Sequence, residues 1–311
     1  MTDIASQSDG PEGADVKDIK HRSLWIDVWQ QFRTHKGAMV GVAVFVIICL
    51  GVIVGPFLYD VDPQYLNYKE KNKGISLSHP MGTDNLGRDM FAQVLAGGRT
   101  SLAVGVAAMS LSLTLGTLVG VMAGYFNRLD GLLMRFTDLF LSLPILPLLL
   151  VIIMLFRETL RSLFGPEMGI FILIVFVIGI TSWMQTARIV RGEVLAIKQR
   201  EFVLAARSIG TRPFRIIFRH TFPNVLSPIM VSATLGVAAA IITESALSFL
   251  GLGFPSDFPT WGRLLFDGVP FLNINPARVI WPGLAISLTV ISVNFMGDGL
   301  RDALDPRIRG R

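Results

Sequence analysis

Six long apolar runs, separated by polar segments, set the frame of this 311-residue chain. They lie at Gly37 to Leu58, Ser101 to Phe126, Leu139 to Phe156, Gly169 to Ala187, Val225 to Leu252 and Val279 to Gly297, with almost no charge inside them. About 20 apolar residues carry a helix across a hydrocarbon core. The pattern therefore predicts an all-α, polytopic bundle of six transmembrane helices. Pro144, Pro147 and Pro228 each withhold a backbone donor inside these runs, and small-residue stretches such as GVAAA let helices approach closely. That composition predicts a packed, bendable bundle.

Shorter patterns divide the rest. Residues 1–22 are polar with no apolar period and are expected to be disordered on the cytoplasmic side. In 23–36, Trp25, Val28, Trp29 and Phe32 recur at helical spacing beside Arg33 and Lys36, which predicts an amphipathic interfacial helix. It leads into the first span, 37–58, which is too long for the core of a signal peptide and is expected to remain. The segment 59–98 reads as a polar loop, then a turn and a short helix with Asp84 as a possible N-cap. Five more spans fill 99–300, and 301–311 forms a polar tail.

Composition excludes a soluble domain: 51% of residues are hydrophobic and only 16% charged. The net charge of +5 would suggest a nucleic-acid partner in a soluble protein, but here the placement of the charges matters. With the N-terminus inside, nineteen of the 28 Lys and Arg fall on inner segments and nine on outer ones. That bias predicts both termini in the cytoplasm, 59–98 outside, lipid as the surrounding partner and no nucleic acid. Cys49 stands alone, and His21, His35, His79 and His220 are far apart, so no metal site is expected. No GxxxxGK[ST] cradle and no Ser/His/Asp constellation is present, so no cofactor and no catalytic centre is expected on this chain.

One cytoplasmic stretch, EFVLAARSIGTRPFRIIFRHTFPN (201–224), departs from a plain loop. Phe202, Ala205, Ala206 and Ile209 share a helical face. Gly210 stands where a C′ glycine ends a helix, and Thr211 can cap a second helix with Pro213 in its first turn. In that second helix Phe214, Ile217, Phe218 and Thr221 share one face, while Arg212, Arg215 and Arg219 share another. Periodicity alone allows a docking knob or a basic loop that satisfies the positive-inside rule. Within the spans, Glu244 is the one charge of the fifth. A place in the pathway or gate competes there with snorkelling or with pairing to a neighbouring subunit. Asp138 beside Arg135, and Asp298, Arg301, Asp302 and Asp305 after the last span, read as helix-end ion pairs. Arg157, Glu158 and Arg161 read as a solvated outer loop.

The arrangement Ala205-Ala206, then Gly210, then Phe222-Pro223 and Asn224 resembles the EAA motif of importer-type ABC permeases, with Leu204 at the usual Glu position and His220 and Phe222 at the usual Ile and Leu positions. HPMGTDNLGRDMFAQVLAGGRTSL (79–102), ESALSFLGLG (244–253) and GDGLRDALDPRIRG (297–310) are similar to the dipeptide/oligopeptide/nickel permease family, in its OppC/DppC-like branch. The resemblance implies a MetI-like permease fold in a bacterial or archaeal cytoplasmic membrane. Its implied partners are a second permease subunit, two ATP-binding subunits and an extracytoplasmic solute-binding protein. ATP hydrolysis would belong to the partners. It implies that 188–223 is the coupling segment, with Phe202, Ala205, Ala206, Ile209, Gly210, Arg215, Arg219, Phe222, Pro223 and Asn224 at the ATPase contact. The implied cargo is a di- or oligopeptide, with nickel, an opine or an oligosaccharide-like solute as alternatives. A secondary transporter is the rival from another class.

Overall fold

A computed structural model describes residues 24–304; the stretch expected to be disordered, the Trp25 side chain and the end of the tail with Asp305 lie outside the described residues. Among the described residues the regular structure is helical: α1 (Leu24–Thr34), α2 (Lys36–Leu58), α3 (Met90–Tyr125), α4 (Asn127–Ser142), α5 (Ile145–Phe164), α6 (Pro166–Lys198), α7 (Glu201–Ser208), α8 (Pro213–Ile216), α9 (Phe222–Phe249), α10 (Trp261–Gly268) and α11 (Ala277–Leu304). Among the described residues, pairing of the β type is limited to one bridge between Thr83 and Asp89. Five helices among the described residues are long and apolar enough to cross a membrane, or six if α4 and α5, bent by 88° at the break between them, count as one broken span.

That break corrects the expected third span. Pro144 follows Ser142 and Leu143 and has no N–H to continue the ladder, so the run 139–156 divides between two helices. Arg157, Glu158 and Arg161, expected in a loop, lie in the last turns of α5. There Arg157 Nη2 donates to Gly253 O at 3.1 Å, and Arg161 pairs with Glu158 at 3.2 Å. The second span also differs. It is one helix of 36 residues that begins at Met90 and absorbs the short helix expected before it. The Trp261 indole holds its first turns by donating to Val94 O at 2.9 Å. Asp89, not Asp84, caps it, accepting from Ala92 N at 2.8 Å. Asp84 instead folds the preceding turn by accepting from Leu86 N, Arg88 N and Arg88 Nε.

Close packing centres on α3 against α6. Gly116, Gly120 and Gly124, one turn apart, face Thr186, Ala187 and Val194, where an added Cβ would come within 2.6–2.7 Å of α6 atoms. Small residues at this spacing bring two backbones together in a medium that supplies no hydrophobic drive between helices. α5 covers the other side of α6 through Leu149, Ile153, Ile170 and Ile174. α9 crosses α3 where Gly105 faces Ile241 and Gly236 faces Met109. α1 is held by Val28 and Phe32 against Ala38 and Ala303, leaving Trp29 outward. Its expected apolar stripe is thus shared between the bundle and the surroundings. His35 then caps α2, its Nδ1 accepting from Ala38 N at 3.0 Å.

Candidate functional site

At the end of the bundle where α6 stops, α7 turns back beneath the spans. Its inward face is Val203 and Ala206, packed with Val194, Ile197, Ile216, Ile217 and Val225. The expected face of Phe202, Ala205, Ala206 and Ile209 therefore splits: Ala206 is buried, while Phe202, Ala205 and Ile209 are exposed. Two apolar surfaces compete for one helix of eight residues, and the Val203–Ala206 pair wins because it meets the span ends.

The helix ends at Gly210, which has φ +78°; Thr211 N donates to Ala206 O at 3.1 Å and Gly210 N to Arg207 O at 3.0 Å. This is a paired C-terminal cap that needs a left-handed residue. Arg212, rather than Thr211, occupies the next N-cap, with Pro213 as the first helical residue. The second short helix is not separate. α8 runs through a widened π turn, Ile217–Thr221, into α9, so Pro213–Phe249 is one helix of 37 residues. The wide turn lies where it must. Pro223 cannot donate to Arg219 O and its ring would crowd that carbonyl, while Phe222 N bonds back five residues to Ile217 O.

The outward surface of this knob is apolar. Ile209 is 83% exposed, Phe214 70% and Phe218 68%, beside Phe202 and Leu204. Ile217 and Thr221, expected on the face of Phe214 and Phe218, are buried instead. Arg212, Arg215 and Arg219 are exposed around the patch. Phe222 packs inward, and Pro223 and Asn224 reach a cavity above, with Asn224 Nδ2 donating to His220 O at 2.6 Å.

That cavity, of about 1500 Å³, is bounded by α6, α9 and the α4–α5 elbow. Its polar wall is neutral over most of its length: Thr181, Ser182, Gln185, Ser227 and Ser232, with Glu193 and Arg301 as its two charged residues. Of these, sequence singled out Arg301 alone, and that as a helix-end ion-pair partner. The polar positions of α6 and α9 are too few to disturb an apolar run, and only the bend at Pro144 opens space beside them.

Glu244 is not on that wall. It is fully buried, with Ser248 Oγ donating to Oε1 at 2.7 Å and Ser101 Oγ donating to Oε2 at 3.1 Å. Trp261 N donates in turn to Ser101 Oγ at 3.2 Å. The carboxylate thus joins α9 to α3 and, through Ser101, to the segment that carries α10.

Beside that segment, Asn275 Nδ2 donates to Thr83 O at 3.2 Å and ties in residues 59–89. His79 bridges two acids there, Nδ1 to Asp89 at 2.7 Å and Nε2 to Glu70 at 3.1 Å, while Tyr59 donates to Asp89 at 2.8 Å. Bonding to Asp89 and then Glu70 raises the His79 pKa against the effect of its burial. Bonding from Lys73, and then His79, lowers that of Glu70. Burial, reinforced by Asp89, raises that of Tyr59. At the knob end Asp138 pairs with Arg188 rather than with the adjacent Arg135, Asp130 pairs with Arg191 at 2.5 Å, and His35 lies 3.7 Å from Asp302.

Two family models match the chain. Residues 116–310 match the binding-protein-dependent transport system inner membrane component, and residues 23–77 match the N-terminal TM domain of oligopeptide transport permease C. Similar proteins include the oligopeptide transport system permease protein OppC of Bacillus subtilis, 40% identical over 93% of this chain and 92% of the relative. The dipeptide transport system permease protein DppC of the same organism is 40% identical over 91% of this chain and 86% of its own. The glutathione transport system permease protein GsiD of Pectobacterium atrosepticum is 35% identical over 94% and 95%.

Proposed function

The chain belongs to the family of binding-protein-dependent transport system inner membrane components, and from that premise we propose that it is a permease subunit of an ATP-driven importer of di- or oligopeptides. It forms half of the translocation pathway and pairs with a second permease subunit. Two ATP-binding subunits dock from the cytoplasm, and an extracytoplasmic solute-binding protein delivers the cargo. In this reading both termini and the knob face the cytoplasm, and 59–89 and the α10 segment face outward, which the distribution of Lys and Arg supports.

One observation carries this reading: an exposed apolar knob continues without a break into the helix that walls the cavity. A patch of that kind marks a protein contact. Leu204, where relatives of the resembled motif have Glu, adds apolar surface to it in place of a charge. The neutral hydroxyls and the Gln185 amide of the cavity can exchange hydrogen bonds with peptide groups without selecting a side chain. Oligopeptide, dipeptide and glutathione, the cargoes in the relatives' names, share that amide.

Adjacent alanines provide the test. Ala205 is exposed, so Ala205→Arg leaves the knob folded but places a long cation in the contact, where poor solvation costs about 3–5 kcal/mol. Ala206 packs against the span ends, so Ala206→Arg disrupts the knob itself. Ala205→Arg is expected to insert and melt as the parent does, yet to lose co-purification with the ATP-binding subunits and peptide uptake in reconstituted vesicles. Normal association and uptake in that variant would overturn the docking role.

A further inference from the structure

A second cavity, of about 320 Å³, opens where the spans end beside the knob, between the α3–α4 turn, the end of α6 and the α7–α8 turn. Three cations line it: Arg128, Lys198 and Arg207, with the aromatic rings of Tyr125 and Phe126 on one side. Among the described residues no carboxylate lines it. Asp130, the nearest acid along α4, is committed to Arg191, whose Nε and Nη2 lie 2.5 and 2.7 Å from its two oxygens. Lys198 is positioned by Tyr125 O at 2.7 Å and Asn127 Oδ1 at 2.8 Å, both neutral, so its charge is directed but not cancelled. α4, 16 residues long, starts at Asn127 with no side-chain cap, so its free N–H groups add positive potential.

We propose that this pocket holds the phosphate headgroup of an anionic phospholipid. Its depth favours that occupant. α3, whose apolar run reaches Phe126, ends at Tyr125, so that wall of the pocket sits where a span leaves the hydrocarbon, while α6 runs on past its apolar stretch to bring Lys198 alongside; Tyr125 is the kind of side chain that occupies the headgroup layer. Basic pockets between transmembrane helices on the cytoplasmic side select anionic headgroups. The volume has room for a phosphate with its waters, at about 30 Å³ for each water. A headgroup there touches the span ends and, through Arg207 and Thr211, the turn of the knob, and so clamps the knob against the bundle. The inference stands apart from the docking role.

The test uses the full chain with its partner subunits, purified in a neutral detergent and equilibrated with mixed micelles of phosphatidylcholine and phosphatidylglycerol. Retained lipid is counted by native mass spectrometry. Preferential retention of phosphatidylglycerol is expected, falling about fivefold for each charge removed in Arg128→Gln and Arg207→Gln and about 25-fold for the pair. The pair Arg128→Lys and Arg207→Lys should restore it, which separates charge from folding. Equal retention by the Gln pair overturns the site. Displacement of the lipid by millimolar inorganic phosphate overturns a lipid in favour of the free anion. Loss of the ATP-binding subunits from the Gln pair, with lipid retention unchanged, overturns it in favour of a protein carboxylate.

Discussion

Replacing Glu244 by alanine separates the two things a buried carboxylate can do. In the fold it accepts one hydroxyl from α3, Ser101, and one from its own helix, Ser248, at 3.1 and 2.7 Å. Both hydroxyls are buried. Removing the acceptor leaves two donors without partners, each worth about 1–3 kcal/mol, so Glu244→Ala should cost roughly 2–6 kcal/mol before the lost volume is counted. Glu244→Gln keeps the shape and one acceptor oxygen. Its amide needs one serine to turn and accept, and Ser101 already accepts from Trp261 N, so this variant should cost about 1 kcal/mol. Thermal unfolding of the purified complex, followed by Trp fluorescence, reads the stability, and peptide uptake in vesicles reads the function. Glu244→Ala should melt well below the parent and Glu244→Gln close to it, with reduced uptake if the charge serves the gate. An alanine variant that melts with the parent would refute the network, and unimpaired uptake by the glutamine variant would remove the charge from the transport cycle.

Gly210→Val meets no neighbouring atom, so its cost is the left-handed backbone alone, about 1–2 kcal/mol; the knob should loosen to protease while the spans stay intact. Gly120→Leu, by contrast, drives a side chain into Ala187 O and Val190, and should abolish assembly of the bundle, seen as loss of the monodisperse peak in gel filtration. Cysteines at Asn72 and Arg212 in a Cys49→Ser background should label from opposite sides of the membrane, and labelling from one side would discard the six-span topology. The His79 pKa is raised in the fold, so its contribution is complete below about pH 6.5 and is lost as pH rises through the higher folded value. Proteolysis of 59–89 should therefore quicken on the alkaline side in the parent, whereas His79→Gln should be cut at a rate that no longer changes over that interval.

The spans were legible because crossing hydrocarbon demands long apolar runs, and the knob because a helix-ending glycine and a following proline leave a mark on the chain. What was hidden depends on partners distant in sequence. Whether Ala205 or Ala206 faces inward is decided by Val194 and Ile216, which no periodicity within 201–209 contains. Met90 starts the second span because Trp261, far along the chain, braces its first turns. The π turn follows from Pro223 acting backwards on Arg219 O, visible only once the second helix is known to continue into the fifth span. Glu244 stood out from sequence as an isolated charge, but its three neighbours, Ser101, Ser248 and Trp261, come from three different segments.

The unbroken helix from Pro213 to Phe249 makes this subunit a lever. At 1.5 Å per residue its 37 residues form a rod of about 55 Å. It bears on α3 between Gly236 and Ile241, well away from its midpoint. The arm to Pro213 is about 39 Å long and the arm to Phe249 about 16 Å, a ratio near 2.5, with Glu244 about 8 Å from the bearing. A push of about 5 Å on the knob would then arrive at the opposite end as about 2 Å, reversed in direction and multiplied in force. Such gearing would serve the importer proposed above, in which movement of partner subunits at the knob would be passed to the far end of this helix.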